Sequence, residues 1–126
     1  GSGRQEPTGT VGQRAENLAF RFLRDRGLRP VARNFRRRGG EIDIVMLDGE
    51  CLVFVEVRYR RSTSFTRAGL TVDTRKQRKL VRTAALFAAC HRRYACSIMR
   101  FDVVAVEGPG SVHWIRDAFR PDDSTL

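Results

Sequence analysis

Four side chains stand out for the chemistry they could do together. Glu41 and Asp43 lie in one apolar run, Glu56 and Arg58 in the next. The runs are Glu41-Ile42-Asp43-Ile44-Val45-Met46-Leu47 and Cys51 to Tyr59, and between them Asp48-Gly49 is a strong tight-hairpin signal. With Asp48-Gly49 as a two-residue turn, Leu47 faces Glu50, Val45 faces Leu52, Asp43 faces Phe54 and Glu41 faces Glu56. Side chains alternate along a strand, so Glu41, Asp43, Glu56 and Arg58 project from one face. A bulge, common near active sites, would shift that register.

Acids placed this way repel each other unless something neutralises them. Diagonal neighbours lie roughly 7–8 Å apart, so Asp43 and Glu56 can converge on one ion, and hard oxygen ligands suit Mg2+ or Mn2+. Ion pairing with Arg58 and nearby arginines is, from spacing alone, an equally open reading. The metal alternative implies phosphodiester hydrolysis, in which a divalent ion polarises the phosphate and makes hydroxide from bound water. Basic residues would hold the backbone phosphates, and Arg36, Arg37, Arg38, Arg60 and Arg61 are the candidates, being placed at the same end of the hairpin as the acids. A serine or cysteine hydrolase is disfavoured, because His91 and His113 have no readable partners and no nucleophile elbow or glycine-rich phosphate loop occurs. Cys51 reads as a core residue, and the spacing of Cys90, His91 and Cys96 matches no standard zinc pattern.

The elements that must position these residues alternate between helical and extended patterns. Val11, Ala15, Leu18, Ala19, Phe22 and Leu23 follow a helical spacing between Gly9 and Arg26, with Thr10 as cap and Gly27 as stop. A short extended segment at 28–35 precedes a basic, flexible loop, Arg36-Arg37-Arg38-Gly39-Gly40, and then the hairpin. A second helix is expected from about Thr71 to Arg92, burying Leu80, Ala84, Phe87 and Ala88 and carrying Arg75, Lys76, Arg78, Lys79 and Arg82 on other faces. Strands at Ile98–Val106 and Val112–Ile115 complete an α/β order of αβββαββ, a central mixed β-sheet flanked by helices. Residues 9–120 are expected to form one nuclease-like domain, between a flexible N-terminus at 1–8 (Gly1-Ser2-Gly3 reading as a cloning remnant) and a flexible tail at 121–126.

Composition narrows the class of partner. The chain has 126 residues with 41% hydrophobic and 30% charged, a balance typical of globular domains. A net charge of +10 costs self-repulsion and points to a polyanionic partner, most often nucleic acid. No apolar run approaches the roughly eighteen residues that a membrane span needs, and no secretory leader is visible. An odd cysteine count without such a leader fits reduced thiols in the cytoplasm.

Several motifs together resemble YraN-like proteins: Gly12-Gln13-Arg14-Ala15-Glu16, Arg33-Asn34-Phe35, Arg38-Gly39-Gly40-Glu41-Ile42-Asp43, Val53-Phe54-Val55-Glu56-Val57-Arg58, Lys76-Gln77 and Arg100-Phe101-Asp102-Val103-Val104. The likeness runs from about residue 9 to Phe119. That family is similar to the restriction-endonuclease-like, PD-(D/E)xK superfamily, which includes archaeal Holliday-junction resolvases. The resemblance implies Asp43 and Glu56 as metal-binding acids, Glu16 entering from the first helix, and Glu41 beside them. The superfamily pattern puts lysine two residues after the second acid, where this chain has Arg58. Arginine stays protonated and cannot act as a base, although it can stabilise a charged transition state. Lys76 could supply the missing amine only if the second helix brings it close; otherwise it is a surface or nucleic-acid-binding lysine. The sequence reading therefore leans to a nucleic-acid-binding, nuclease-like protein, with DNA as partner and cleavage weakened or lost through Arg58. An active Mg- or Mn-dependent endonuclease, with branched DNA as the substrate that fold analogy suggests, and a basic protein-interaction module are the alternatives.

Overall fold

The computed structural model describes residues 10–60, 72–108 and 110–121. The ends at 1–8 and 122–126, together with Arg61, lie outside the described residues. Helix α1 (Val11–Asp25) is followed by strands β1 (Arg29–Arg37), β2 (Gly40–Asp48) and β3 (Cys51–Arg60). Helix α2 (Thr74–Cys90), a short 3-10 turn (Arg92–Tyr94), β4 (Met99–Glu107) and β5 (Ser111–Phe119) complete the chain. The strands form one sheet in the order β1-β2-β3-β4-β5. Only β3 and β4 run parallel, and α2 is the crossover between them, as a parallel pair requires. This is the expected αβββαββ order and is consistent with a restriction-endonuclease-like α/β fold.

Each helix covers one face of the sheet. The α2 face buries Leu80, Val81, Ala84 and Phe87 against Ile42, Val45, Leu52, Phe54, Phe101 and Val103. The α1 face buries Ala19 and Leu23 against Ile44, Met46, Val53, Val55 and Val104. Sequence periodicity anticipates both stripes; Val11, at the start of α1, is instead 43% exposed. Helix α1 opens with a capping box, the Gln13 N–H donating to Thr10 Oγ1 (3.1 Å) and the Thr10 N–H to Gln13 Oε1 (3.0 Å). Gly27, at φ 98°, supplies the left-handed turn that ends it.

Three expectations need correction. The β2–β3 hairpin pairs Asp48 with Cys51 and Leu47 with Leu52, so its turn residues are Gly49 and Glu50, not Asp48 and Gly49. Gly49 at φ 63° fits the first central position of a II′ turn, which favours glycine. The supposed basic loop is mostly strand: Arg36 pairs with Glu41 and Arg37 with Gly40, leaving Arg38-Gly39 as the turn. Lastly, alternation breaks at Asp43. Ile42 packs on the α2 face whereas Ile44, two residues on, packs on the α1 face. Opposite this break Asn34 takes φ 56°, a left-handed conformation that asparagine tolerates better than most residues.

Candidate functional site

Main-chain pairing of β2 with β3 ends at Ile44 and Val55, leaving Asp43 and Glu56 as the next residue of each strand. The register error was even, which keeps these two acids in step, but the break at Asp43 ends the regular alternation that a shared face of Glu41, Asp43, Glu56 and Arg58 required. Where the ladder ends, the Val57 N–H donates to Asp43 Oδ2 at 2.8 Å, fixing the carboxylate at the strand edge. Burial pushes the Asp43 pKa up to about 7, opposed by that hydrogen bond and reinforced by the negative charges of Glu56, Glu16 and Glu41. Asp43 is thus the centre of a concentration of acids.

Its neighbours are each held by a cation. Glu56, buried on β3, pairs with the Lys76 ammonium at 2.8 Å. Glu41 pairs with Arg36 at 3.3 Å on the exposed edge. Glu16, from α1, accepts from Arg33 and from Asn34 Nδ2, both at 3.0 Å, while Arg33 also reaches Asn17 at 2.6 Å. The left-handed kink at Asn34 therefore does two things, interrupting the β1–β2 alternation and tying Glu16 to the sheet. Ion pairing, one of the two readings left open by spacing, is present, with Lys76 rather than Arg58 as the partner of Glu56.

The reach of Lys76 follows from the start of α2. Asp73 caps the helix by accepting from the Lys76 N–H (2.9 Å), and Gln77 Nε2 donates back to the Val72 carbonyl (2.7 Å). This puts Lys76 in the first turn, over the end of β3. Close packing brings the helix there: a Cβ on Gly40 would collide with the buried Thr83 hydroxyl, which donates to the Lys79 carbonyl at 2.8 Å. The amine thus arrives from a helix, and not from the strand position that Arg58 occupies.

Two clefts meet at Asp43. The α2-side cleft, of about 790 Å3, is lined by Arg36, Arg37, Arg75, Lys76 and Lys79 as well as Glu41, Asp43, Glu56 and Asp73. The α1-side cleft, of about 320 Å3, is lined by Gln13, Glu16, Asn34 and Tyr59 among others. Arg36, Glu41, Asp43 and Val57 belong to both. Of the basic residues singled out from sequence, Arg36, Arg37 and Lys76 therefore reach the site. Arg38 is exposed at its turn, and Arg60 lies 4.0 Å from the buried Glu107. Neither Arg58 nor Arg60 is among the described residues lining the two clefts.

Among the described residues no three His, Cys, Asp or Glu side chains form a ready ligand group. Asp43 and Glu56 both line the α2-side cleft. Magnesium is commonly held by one or two carboxylates, with waters and substrate phosphates filling the rest of an octahedron.

The chain matches the model of the uncharacterised protein family UPF0102 over residues 15–106. A UPF0102 protein of Stutzerimonas stutzeri is 52% identical over 111 residues, covering 86% of this chain and 92% of the relative. One from Xanthomonas campestris is 54% identical over 113 residues, covering 89% and 93%. The chain belongs to this family. It is the YraN-like family to which the sequence motifs point, and the matched span contains Glu16, Asp43, Glu56 and Lys76.

Three contributors were missed from sequence. Arg75 and Lys79 line the α2-side cleft, and Asp73 orients the first turn of α2. Asp73 ahead of Thr74-Arg75-Lys76 was a legible N-cap signal. The clamp of Arg33 and Asn34 on Glu16 had no local signal, because it joins residues about one element apart.

Proposed function

We propose that this protein is a divalent-metal-dependent nuclease acting on nucleic-acid phosphodiesters. The observation that carries the reading is the Lys76 ammonium, 2.8 Å from Glu56, which places a primary amine beside the Asp43–Glu56 acid pair. Arg58 had argued for lost cleavage, and that argument weakens if the amine comes from α2.

Asp43 and Glu56 would hold Mg2+ or Mn2+. When bound, such an ion polarises the scissile phosphate and lowers the pKa of coordinated water. Arg36, Arg37, Arg75 and Lys79 would bind the flanking phosphates in the α2-side cleft. Lys76 would orient water or neutralise developing charge on the phosphate oxygens. Glu16, locked by Arg33 and Asn34, would keep the field at Asp43 negative and so favour a cation there.

A second reading is favoured by one feature. The acids around Asp43 are already paired with Arg33, Arg36 and Lys76, as a nucleic-acid-binding module without cleavage would allow. Incubation of wild type and Glu56→Ala with linear, branched and single-stranded DNA, in Mg2+, Mn2+ or chelator, separates the two. Metal-dependent cleavage reduced at least about a hundredfold in the variant supports the nuclease. Salt-dependent DNA binding with no cleavage by either protein leaves the binding module.

A further inference from the structure

Among the described residues, the α1-side cleft and a third hollow share one lining residue, and the chemistry of the wall differs between them. Tyr59 borders both the α1-side cleft and a hollow of about 270 Å3 between the start of α1 and the ends of β3 and β4. That hollow has an apolar wall of Val11, Leu18 and Val106, with Arg14 at its side. Tyr59 is 40% exposed and Val11 43%. Cations line the α2-side cleft, acids crowd the middle, and an open aromatic ring beside apolar surface closes the far end.

We propose that the hollow at Tyr59 takes an unpaired base of a nucleic-acid strand whose phosphates lie in the α2-side cleft. This rests on the nucleic-acid reading above and names its substrate class as one with a single-stranded segment at Asp43. Backbone-tracking cations followed by an aromatic platform are the two components of single-strand recognition. A base inside a duplex is covered on both faces by its neighbours, so only an unstacked base can lie on the Tyr59 ring. Arg36 and Asp43 line both clefts, so a strand with phosphates in the α2-side cleft would pass Asp43 on its way to Tyr59. Arg14 stands where it can neutralise a phosphate next to the stacked base.

Fluorescence anisotropy with a labelled single-stranded oligodeoxynucleotide and its duplex, in chelator to prevent cleavage, tests this. Tyr59→Ala should lose about tenfold in single-strand affinity while leaving duplex affinity unchanged, and Tyr59→Phe should match wild type on both. An oligonucleotide series with one abasic site moved along the strand should weaken binding to wild type at one position alone, a readout independent of how the variants fold. Equal affinity of Tyr59→Ala and wild type for the single strand, equal losses on both substrates, or a flat abasic series would each overturn the base pocket. In those cases persistent salt-dependent binding keeps the nucleic-acid reading intact. Failure of wild type to bind either substrate in a salt-dependent way would overturn both.

Discussion

Two aspartates are set into the same sheet, and their surroundings differ. Asp102, on β4, is 1% exposed and saturated with donors: Arg100 Nε (2.9 Å) and Nη2 (3.0 Å), Trp114 Nε1 (2.9 Å) and the Asp117 N–H (2.9 Å). Arg100 goes on to Asp48 at 2.9 Å, tying the β2–β3 hairpin to β4. Among the described residues, Asp43 receives the Val57 N–H and faces the charges of three other acids. Each lies by a non-glycine residue at positive φ, Asp117 at 53° for Asp102 and Asn34 at 56° for Asp43. At Asp117 the kink delivers a donor to the acid; at Asn34 it anchors a further acid nearby. A carboxylate that serves the fold is given its hydrogen bonds in full. One that is left under-neutralised in a cleft has charge available for a ligand.

The sharpest way to break this contrast is to remove the saturated acid. Asp102→Ala leaves the Arg100 guanidinium and the Trp114 N–H short of their acceptor in a buried setting. Breaking a buried pair on one side costs about 3–5 kcal/mol. Urea unfolding should show a loss of that size, and a loss below about 1 kcal/mol would mean that Asp102 is no structural anchor.

Asp43→Asn should move stability the other way. The folded-state pKa of about 7 exceeds the ordinary aspartate value of 3.8, so the folded protein holds an extra proton between those values. The stabilising effect of that proton is complete below about pH 4 and is lost as pH rises through about 7. Above pH 7 the ionised carboxylate costs up to about 4 kcal/mol, and asparagine, which can still accept from Val57, escapes this cost. Melting curves of the two proteins should diverge from pH 4 to 8, the variant being more stable at the alkaline end. Mn2+ should recover much of the difference in wild type and none in the variant. Curves that stay parallel across this range would remove the under-neutralised acid from the comparison.

How far the sequence foretold this contrast depends on the range of each interaction. The apolar stripes Ala15-Ala19-Leu23 and Leu80-Ala84-Phe87 were legible, because helical periodicity is a local property and the sheet faces simply receive it. The approach of Asp43 and Glu56 to one cleft was legible despite the wrong turn, since moving the turn by one residue changes the register by two. The turn itself was ambiguous because Gly49 fits a central position either way. The kink at Asn34 and the reach of Lys76 were not legible. One depends on how β1 meets a break in β2, the other on the close approach of α2 to Gly40. Both are set by tertiary packing.

The smallest expected effect bears on the residue that made cleavage doubtful. Glu56 and Arg58 are two apart on β3, so regular alternation gives them the same face, and from sequence alone a lysine at 58 would be expected to raise activity. The amine beside Glu56 belongs to Lys76, however, and its placement is fixed by the Asp73 cap and the contact of Thr83 with Gly40. Arg58→Lys therefore changes a position that is not among the described residues lining either cleft, keeps the positive charge and leaves the Lys76 amine in place. Single-turnover cleavage in Mn2+ should change by less than about threefold, a free-energy difference below 1 kcal/mol. Lys76→Met, which keeps the length of the side chain and removes the amine, should lose at least about tenfold under the same conditions. DNA affinity should drop only by the share of one phosphate contact. A large gain in Arg58→Lys, with Lys76→Met unchanged, would assign the amine to the strand and leave Lys76 as a counter-ion of Glu56. The contrast between a saturated and an available acid would then stand, but α2 would lose its part in the chemistry.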